Sequence, residues 1–251
     1  MVEKEATSLD AILGGRLRLR QARDGHRVGL DAILLAAAAG APAARLTDVG
    51  AGVGAVGLAL LQRWPAASGE LVEIDAELAA LAEENAALNG LAARARVVVA
   101  DALDPRSRRA AGLADEAADL VVANPPYLAA DAARVSPDPR RARAHVAGEG
   151  PTAVADWVVA CLALLAPGGR FVMIQRADAL PALLPAFAGR LGDLTLRPVH
   201  PRADAPAIRL LISGTKGSKA PLCLLPGLTL HEPDGSATPL AAAIQRGEAT
   251  L

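Results

Sequence analysis

Aromatic side chains are scarce: two Phe, two Trp and one Tyr among 251 residues. Large rings cannot fill the interior, so a chain that is 52% apolar must close its core with Ala, Leu and Val, which requires helices to approach a sheet closely. Each of the five rings is therefore worth locating. Cysteine is scarce too. Cys161 and Cys223 provide neither a disulfide framework nor metal-ligand spacing, which argues against a structural zinc and suits a reducing compartment. Net charge is almost absent, with 26 basic against 27 acidic residues. A polyanionic partner would therefore have to be held by local arginine clusters. Long apolar runs are missing as well: the stretches 32–44 and 157–167 fall short of the about 20 residues that span a bilayer. The start, Met1-Val2-Glu3-Lys4-Glu5, lacks the cationic-then-apolar layout of a signal peptide. These absences predict a soluble cytoplasmic protein with no metal and no membrane partner.

What is present is an alternation of strand and helix. After a polar lead-in, 28–39 reads as a helix that leaves at Pro42. Strand-like 45–49, 71–74, 95–100, 117–123 and 169–175 then alternate with helices ending at Trp64, spanning 76–88 and spanning 152–165. A further helix is predicted over 179–191, with strands over 194–199 and 207–213. This order predicts an α/β fold with a doubly wound, mostly parallel sheet, and apolar runs rather than strict alternation predict burial of both sheet faces. Three segments are expected: a lead-in over 1–44 that belongs to the catalytic unit, a ligand-binding catalytic domain over 45–215, and a C-terminal extension over 216–251 with a possible hairpin.

At the first strand-to-helix junction lies Asp48-Val49-Gly50-Ala51-Gly52-Val53-Gly54. Glycines there let the backbone turn tightly, approach a ligand closely and lead into a helix with free N–H groups. Glu73, closing the second strand, stands at the spacing where a carboxylate grips a ribose diol. A dinucleotide and S-adenosylmethionine would both use this arrangement. The Gly-x-Gly-x-Gly run and Asp101-Ala102, placed to receive an adenine amino group, favour the second, although Gly57 keeps the first arguable and Asp101 could instead cap a helix.

After the strand over 117–123 comes Asn124-Pro125-Pro126-Tyr127. Two prolines fix φ and remove two backbone donors, leaving carbonyl oxygens that only accept. Asn124 adds an amide oxygen and Tyr127 a flat ring, so the turn suits a planar ligand offering an exocyclic NH2. The alternative is an ordinary rigid loop.

With Asp48 to Gly54, Glu73, Asp101 and Asn124 to Tyr127 in this order, the chain resembles the class I S-adenosylmethionine-dependent methyltransferases that methylate amino groups, over about residues 45–215. The segment Arg23-Asp24-Gly25-His26-Arg27-Val28-Gly29-Leu30-Asp31-Ala32-Ile33-Leu34-Leu35 resembles the lead-in of the bacterial valine-tRNA adenine-N6 methyltransferase group, although Leu30 stands where members often carry Thr. The resemblance implies a Rossmann-like, seven-stranded sheet with the cofactor at the carboxyl ends of the first strands. It places Gly50 and Gly52 at the methionine part, Glu73 at the ribose, Asp101 at the adenine, and Asn124 with Pro125 at the target amine, with Asp48, Gly54, Ala102 and Asn124 also among the cofactor-binding residues. Arg27 and Asp31 would flank the methionine end or the base entrance.

The implied reaction is methylation of an adenine 6-amino group in RNA, with tRNA as the expected partner. Tyr127 would stack on the base. Phosphates would be held by Arg16, Arg18, Arg20 and Arg23, by Arg140, Arg141 and Arg143 with His145, or by Lys216 and Lys219. Methylation of a release-factor glutamine uses the same turn, but relatives of that kind carry a helical domain ahead of the glycines, and only 44 residues precede Arg45. Methylation of ribosomal RNA or DNA, and a cofactor-binding RNA module without turnover, are the remaining alternatives.

Overall fold

The computed structural model describes residues 7–23, 27–126 and 152–251. Its centre is a sheet whose first strand, β3 (Arg45–Val49), lies between β4 (Ser68–Glu73) and β6 (Ala118–Ala123). β5 (Ala95–Val99) flanks β4, and β7 (Leu165–Arg176) flanks β6. These five strands are parallel. β9 (Arg209–Lys216) runs antiparallel between β7 and β8 (Leu191–Arg202). The expected seven strands are therefore present, and the tail enlarges them to nine. β10 (Cys223–Leu224) and β11 (Leu228–His231) both pair in parallel with β8, so the tail joins the sheet edge, and the hairpin expected of it is reduced to a tight antiparallel turn in which His231 bridges Ala237 and the Thr238 N–H donates to the Leu230 carbonyl at 2.9 Å.

Apolar runs are buried on both sides, as the near-absence of alternation predicts. Leu120 and Val122 of β6, with Val172 and Ile174 of β7, face one core together with α1 (Leu30–Ala38), α2 (Ala55–Arg63) and α3 (Ala76–Leu88). Val121, Ala123, Phe171 and Met173 face the other, covered by α5 (Thr152–Leu164) and α6 (Leu180–Phe187). Four of the five rings are now located. Phe171 and Phe187 meet in the second core with centroids 6.4 Å apart, Trp64 lies in the first, and Trp157 packs against the rim of the second. Tyr127 lies outside the described residues.

Helix ends follow local chemistry. Asp75 accepts from the Glu77 and Leu78 N–H groups to start α3, and Gly90, at φ 69°, follows its end. Asp104 accepts from Arg106 and Ser107 and is followed by Pro105, which opens the short α4 (Pro105–Ala110), a helix missing from the sequence reading.

The lead-in differs most from expectation. β1 (Thr7–Ile12) and β2 (Leu17–Ala22) form an antiparallel hairpin. Leu17, Leu19 and Gln21 are buried while Arg18 is exposed, the period-2 pattern of a strand with one covered face. The outer edge of β2 is satisfied by side chains of α3. Asn85 Oδ1 accepts from the Arg20 N–H (2.6 Å) and its Nδ2 donates to the Arg20 carbonyl (3.0 Å). Asn89 does the same for Arg18, at 3.0 and 2.7 Å. Four helical residues rise about 6 Å and two strand residues about 7 Å, so asparagines one turn apart match alternate residues of a strand and stand in for a neighbouring strand. At the other end α7 (Pro239–Gln245) packs on α1, the Leu251 N–H donates to the Ala37 carbonyl, and Arg16 reaches the Gly247 carbonyl.

Candidate active site

β3 and β6 are neighbours, with Val49 paired to Ala123, so Gly50 and Asn124 emerge side by side at the carboxyl edge where the chain turns in opposite directions. Such a switch point is where open α/β sheets bind ligands. Beyond β3 lie Glu73 on β4 and, after β5, Asp101, with the Ala100 N–H donating to the Glu73 carbonyl (2.9 Å). Three inter-strand steps of about 4.8 Å place Asp101 about 14 Å from Asn124 along this edge. The candidate groups are thus laid out in a row: Asp101, Glu73, the glycine turn, Asn124.

The turn is held by its own backbone. Gly50, Gly52 and Gly54 have φ of 72°, 57° and 87°, a region that other residues enter only with strain. The Gly50 and Ala51 N–H groups donate to the Val72 carbonyl at 2.9 and 3.0 Å, and Gly52 donates to Glu73 Oε2 at 2.7 Å. The free donors expected at the helix start are partly spoken for, since the Gly57 N–H donates to Asp48 Oδ2 at 2.8 Å. Asp48 is fully enclosed, and burial pushes its pKa up to about 7, opposed by the Gly57 bond and reinforced by the nearby Glu73 charge. The Gly57 bond fixes the start of α2.

Glu73 is pushed upward by burial as well, opposed by the N–H groups of Asp75, Gly52 and Ile74. Oε1 accepts from Ile74 and Asp75 at 2.9 and 3.0 Å. A carboxylate has about four acceptor positions, so about one remains toward the pocket, fewer than a grip on both ribose hydroxyls needs without displacing Gly52. Asp101 does not cap a helix, because Asp104 does. Its Oδ1 accepts from the Leu103 N–H (2.8 Å) at the mouth of the site, and the adjacent Ala102 is buried with its carbonyl bonded to Arg108 Nη1 (2.7 Å).

On the other side of the switch point, Asn124 is half-buried, Pro125 buried and Pro126 exposed. Arg27 pairs with Asp10 at 2.7 Å and Asp31 with Arg209 at 3.1 Å, the latter joining the first turn of α1 to the start of β9. Tyr127, Arg140, Arg141, Arg143 and His145 lie outside the described residues. The remaining cationic candidates are not one face. Arg20 pairs with Glu84 (3.3 Å), Arg16 turns to Gly247, and Lys216 is committed to Glu116 and to the carbonyls of Leu162 in α5 and Leu165 at the start of β7. Arg18 remains exposed.

Two residues beside this row escaped the sequence reading. Ile74 is 57% exposed immediately after Glu73, an apolar side chain next to the row. Asn85, fully buried, also donates to the Val53 carbonyl (3.0 Å), joining the lead-in hairpin to the glycine turn. The sequence pattern makes Ile74 the last residue of a strand, and Asn85 carries no local signal at all.

The chain matches the methyltransferase small domain family over residues 30–137. A tRNA1(Val) (adenine(37)-N6)-methyltransferase of Aeromonas hydrophila is 32% identical over 213 residues, covering 84% of each chain. The chain belongs to the class I S-adenosylmethionine-dependent methyltransferases. A release factor glutamine methyltransferase of Cereibacter sphaeroides is 34% identical over 145 residues, 56% of this chain and 49% of that protein. A tRNA1(Val) (adenine(37)-N6)-methyltransferase of Porphyromonas gingivalis is 33% identical over 162 residues, 62% of this chain and 61% of that protein. The chain thus spans about half to three fifths of the length of these last two relatives. A crystal structure of a predicted O-methyltransferase from Agrobacterium tumefaciens shares the fold with a TM-score of 0.73 and 30% identity, over 88% of this chain and 98% of that one. S-adenosylmethionine is the cofactor of this family, and the site fits it. An added Cβ on Gly52 would meet nothing within 4 Å, so the turn borders open space, flanked by the apolar Ile74 and two carboxylates. No helix among the described residues is long and apolar enough to cross a membrane.

Proposed function

We propose that the chain is an N-methyltransferase that methylates the exocyclic 6-amino group of an adenine in RNA, with tRNA as substrate and the base next to the anticodon as target. S-adenosylmethionine supplies an electrophilic methyl group on a sulfonium. Everything else is positioning. Asp101 accepts from the adenine amino group of the cofactor, Ile74 packs on that ring, and Glu73 accepts from one ribose hydroxyl through its remaining acceptor position, taking the second only if Gly52 lets go.

An aromatic amine is a weak nucleophile because its lone pair is delocalised into the ring. Asn124 Oδ1 and the Pro125 carbonyl accept its two N–H bonds, hold the nitrogen beside Gly50 and favour a pyramidal geometry with the lone pair free to attack. Prolines suit this task because a buried Pro125 keeps its carbonyl fixed without a donor that would compete. As the N–C bond forms and the methyl–sulfur bond breaks, the ammonium nitrogen becomes acidic and releases a proton to water, so no strong base is required.

The observation that carries the reading is the row across four adjacent strands, in which Asn124 and Pro125 follow β6 directly beside the glycine turn that follows β3, as an amine acceptor next to a cofactor's methionine end would require. The RNA target is supported by the Aeromonas hydrophila relative, which matches through 84% of both chains, whereas the Cereibacter sphaeroides glutamine enzyme matches 56% of this one. The test is to incubate the protein with labelled S-adenosylmethionine and either tRNA lacking the modification or a release factor, and then to map the label. Label on N6 of one tRNA adenosine is the expected result. Label on polypeptide alone would move the substrate to glutamine.

A further inference from the structure

We infer that Ser107 and Arg108 of α4 are positioning residues: they hold the turn after β5 so that one oxygen of Asp101 is aimed at the 6-amino group of the cofactor's adenine. This deepens the reading of Asp101 as the adenine acceptor and rests on it, and it is independent of the RNA target.

Three bonds fix the turn. The Asp101 N–H donates to Ser107 Oγ at 3.0 Å, the Leu103 N–H donates to Asp101 Oδ1 at 2.8 Å, and Arg108 Nη1 donates to the Ala102 carbonyl at 2.7 Å. The last two act on a single planar unit, because the Ala102 carbonyl and the Leu103 N–H belong to one peptide and point in opposite directions across it. By holding the carbonyl inward, Arg108 presents the N–H to Asp101. That N–H takes Oδ1, and among the described residues nothing donates to Oδ2, so the carboxylate keeps one oxygen of fixed direction at the mouth of the site.

Arg108 is a costly way to fill this space. Its side chain is 6% exposed, and among the described residues its charge is met by Asp115 alone, 3.8 Å away and itself 55% exposed. Its Nε is buried with no hydrogen-bond partner there. An apolar side chain of similar volume would avoid both costs. It could not, however, satisfy the buried Ala102 carbonyl, which would turn toward water and carry the Leu103 N–H away from Asp101. The guanidinium is therefore explained by the peptide that it holds. An acceptor held in place before the ligand arrives needs no reordering on binding, which raises the preference for a ring that carries an NH2 over one that does not.

Calorimetric titration with S-adenosylhomocysteine, and with its analogue carrying purine in place of adenine, reads the contribution of the 6-amino group directly. The intact chain is expected to prefer the amino ligand about tenfold to a hundredfold, the range of a hydrogen bond to a charged acceptor. Asp101→Ala is expected to bring this ratio within about twofold of unity. Arg108→Met is expected to reduce it to about threefold or less, and Ser107→Ala to lower it about threefold, while Arg108→Lys, which keeps a donor for Ala102, restores most of it. Equal weakening of both ligands in Arg108→Met and Ser107→Ala, with the ratio unchanged, would make α4 a mere support and overturn the inference while leaving the Asp101 reading intact. An intact chain that does not distinguish the two ligands would remove Asp101 from the adenine, and the inference with it. Should Arg108→Met not fold, Ser107→Ala decides, because a ratio there equal to that of the intact chain overturns the inference.

Discussion

From Gly50 to Asp101 the carboxyl edge of the sheet is tied down by hydrogen bonds: two N–H groups on the Val72 carbonyl, three on Glu73, one on Asp48 and one on Asp101. Beyond Ala123 the rigidity comes from ring-locked backbone at Pro125 and Pro126, with Asn124 as the single flexible polar group described there. Under the proposed function the first would be a cofactor half preorganised by a network and the second a target half preorganised by covalent geometry. Damage to the first should appear in cofactor affinity, and damage to the second in turnover with affinity preserved.

Asn124→Ala separates the halves most sharply. Loss of one of two acceptors that orient the nucleophile is expected to lower kcat by about 10³-fold, while the Kd for S-adenosylmethionine stays within about twofold. Single-turnover kinetics beside calorimetry give both numbers, and a matching collapse of affinity would mean that the halves are one unit. Glu73→Gln attacks the other side. The amide keeps one acceptor but forfeits charge-assisted bonds worth roughly 1.5–3 kcal/mol, so the cofactor Kd is expected to rise about tenfold to a hundredfold with kcat at saturation within a few-fold. A large loss of kcat at saturating cofactor would break the distinction.

How much of this was legible before folding depends on whether the signal is local. Gly50-x-Gly52-x-Gly54 and Asn124-Pro125-Pro126 declare themselves because backbone conformation is written into single residues. The parallel core strands were readable from apolar runs between turn residues. β10 and β11 are two and four residues long and pair in parallel with a strand more than twenty residues earlier, which leaves no short-range pattern to detect. The hairpin was readable in the alternation Leu17, Leu19, Gln21, yet the arginines between them drew the interpretation toward charge. The edge of the Trp157 ring meets Gly50 and Asn85 meets Val53 with Arg20, each across more than thirty residues of sequence, and only the fold reveals them.

Asn85 sharpens the comparison because its one side chain serves both the glycine turn and the lead-in hairpin. Asn85→Ala leaves the Val53 carbonyl and both Arg20 backbone groups without these partners. A loss of about 2 kcal/mol of stability in urea is expected, together with weaker cofactor binding, because a loosened Val53 loosens the turn. Asn89→Ala, whose bonds to Arg18 are exposed to water, is expected to cost about 0.5–1 kcal/mol and to leave cofactor binding unchanged. Equal effects of the two on cofactor affinity would show that the hairpin, not the Val53 bond, is what the turn depends on.

The effect confined to a narrow pH interval concerns Asp48. Its folded pKa, about 7, lies above the ordinary 3.8, so the folded chain holds this proton more tightly than the unfolded chain. The stability that it contributes is therefore fully present below about pH 4 and is lost as pH rises through about 7. Between about pH 6 and pH 8 this single group is expected to remove about 1 kcal/mol. Asp48→Asn keeps an oxygen for the Gly57 N–H but cannot ionise, so its stability curve across that interval should be flatter by the same amount. Urea unfolding of both chains at three or four pH values measures the difference of slopes. Parallel curves would mean that Asp48 is already ionised throughout, with Gly57 and the neighbouring helix start outweighing its burial, and would assign the residual slope to Glu73.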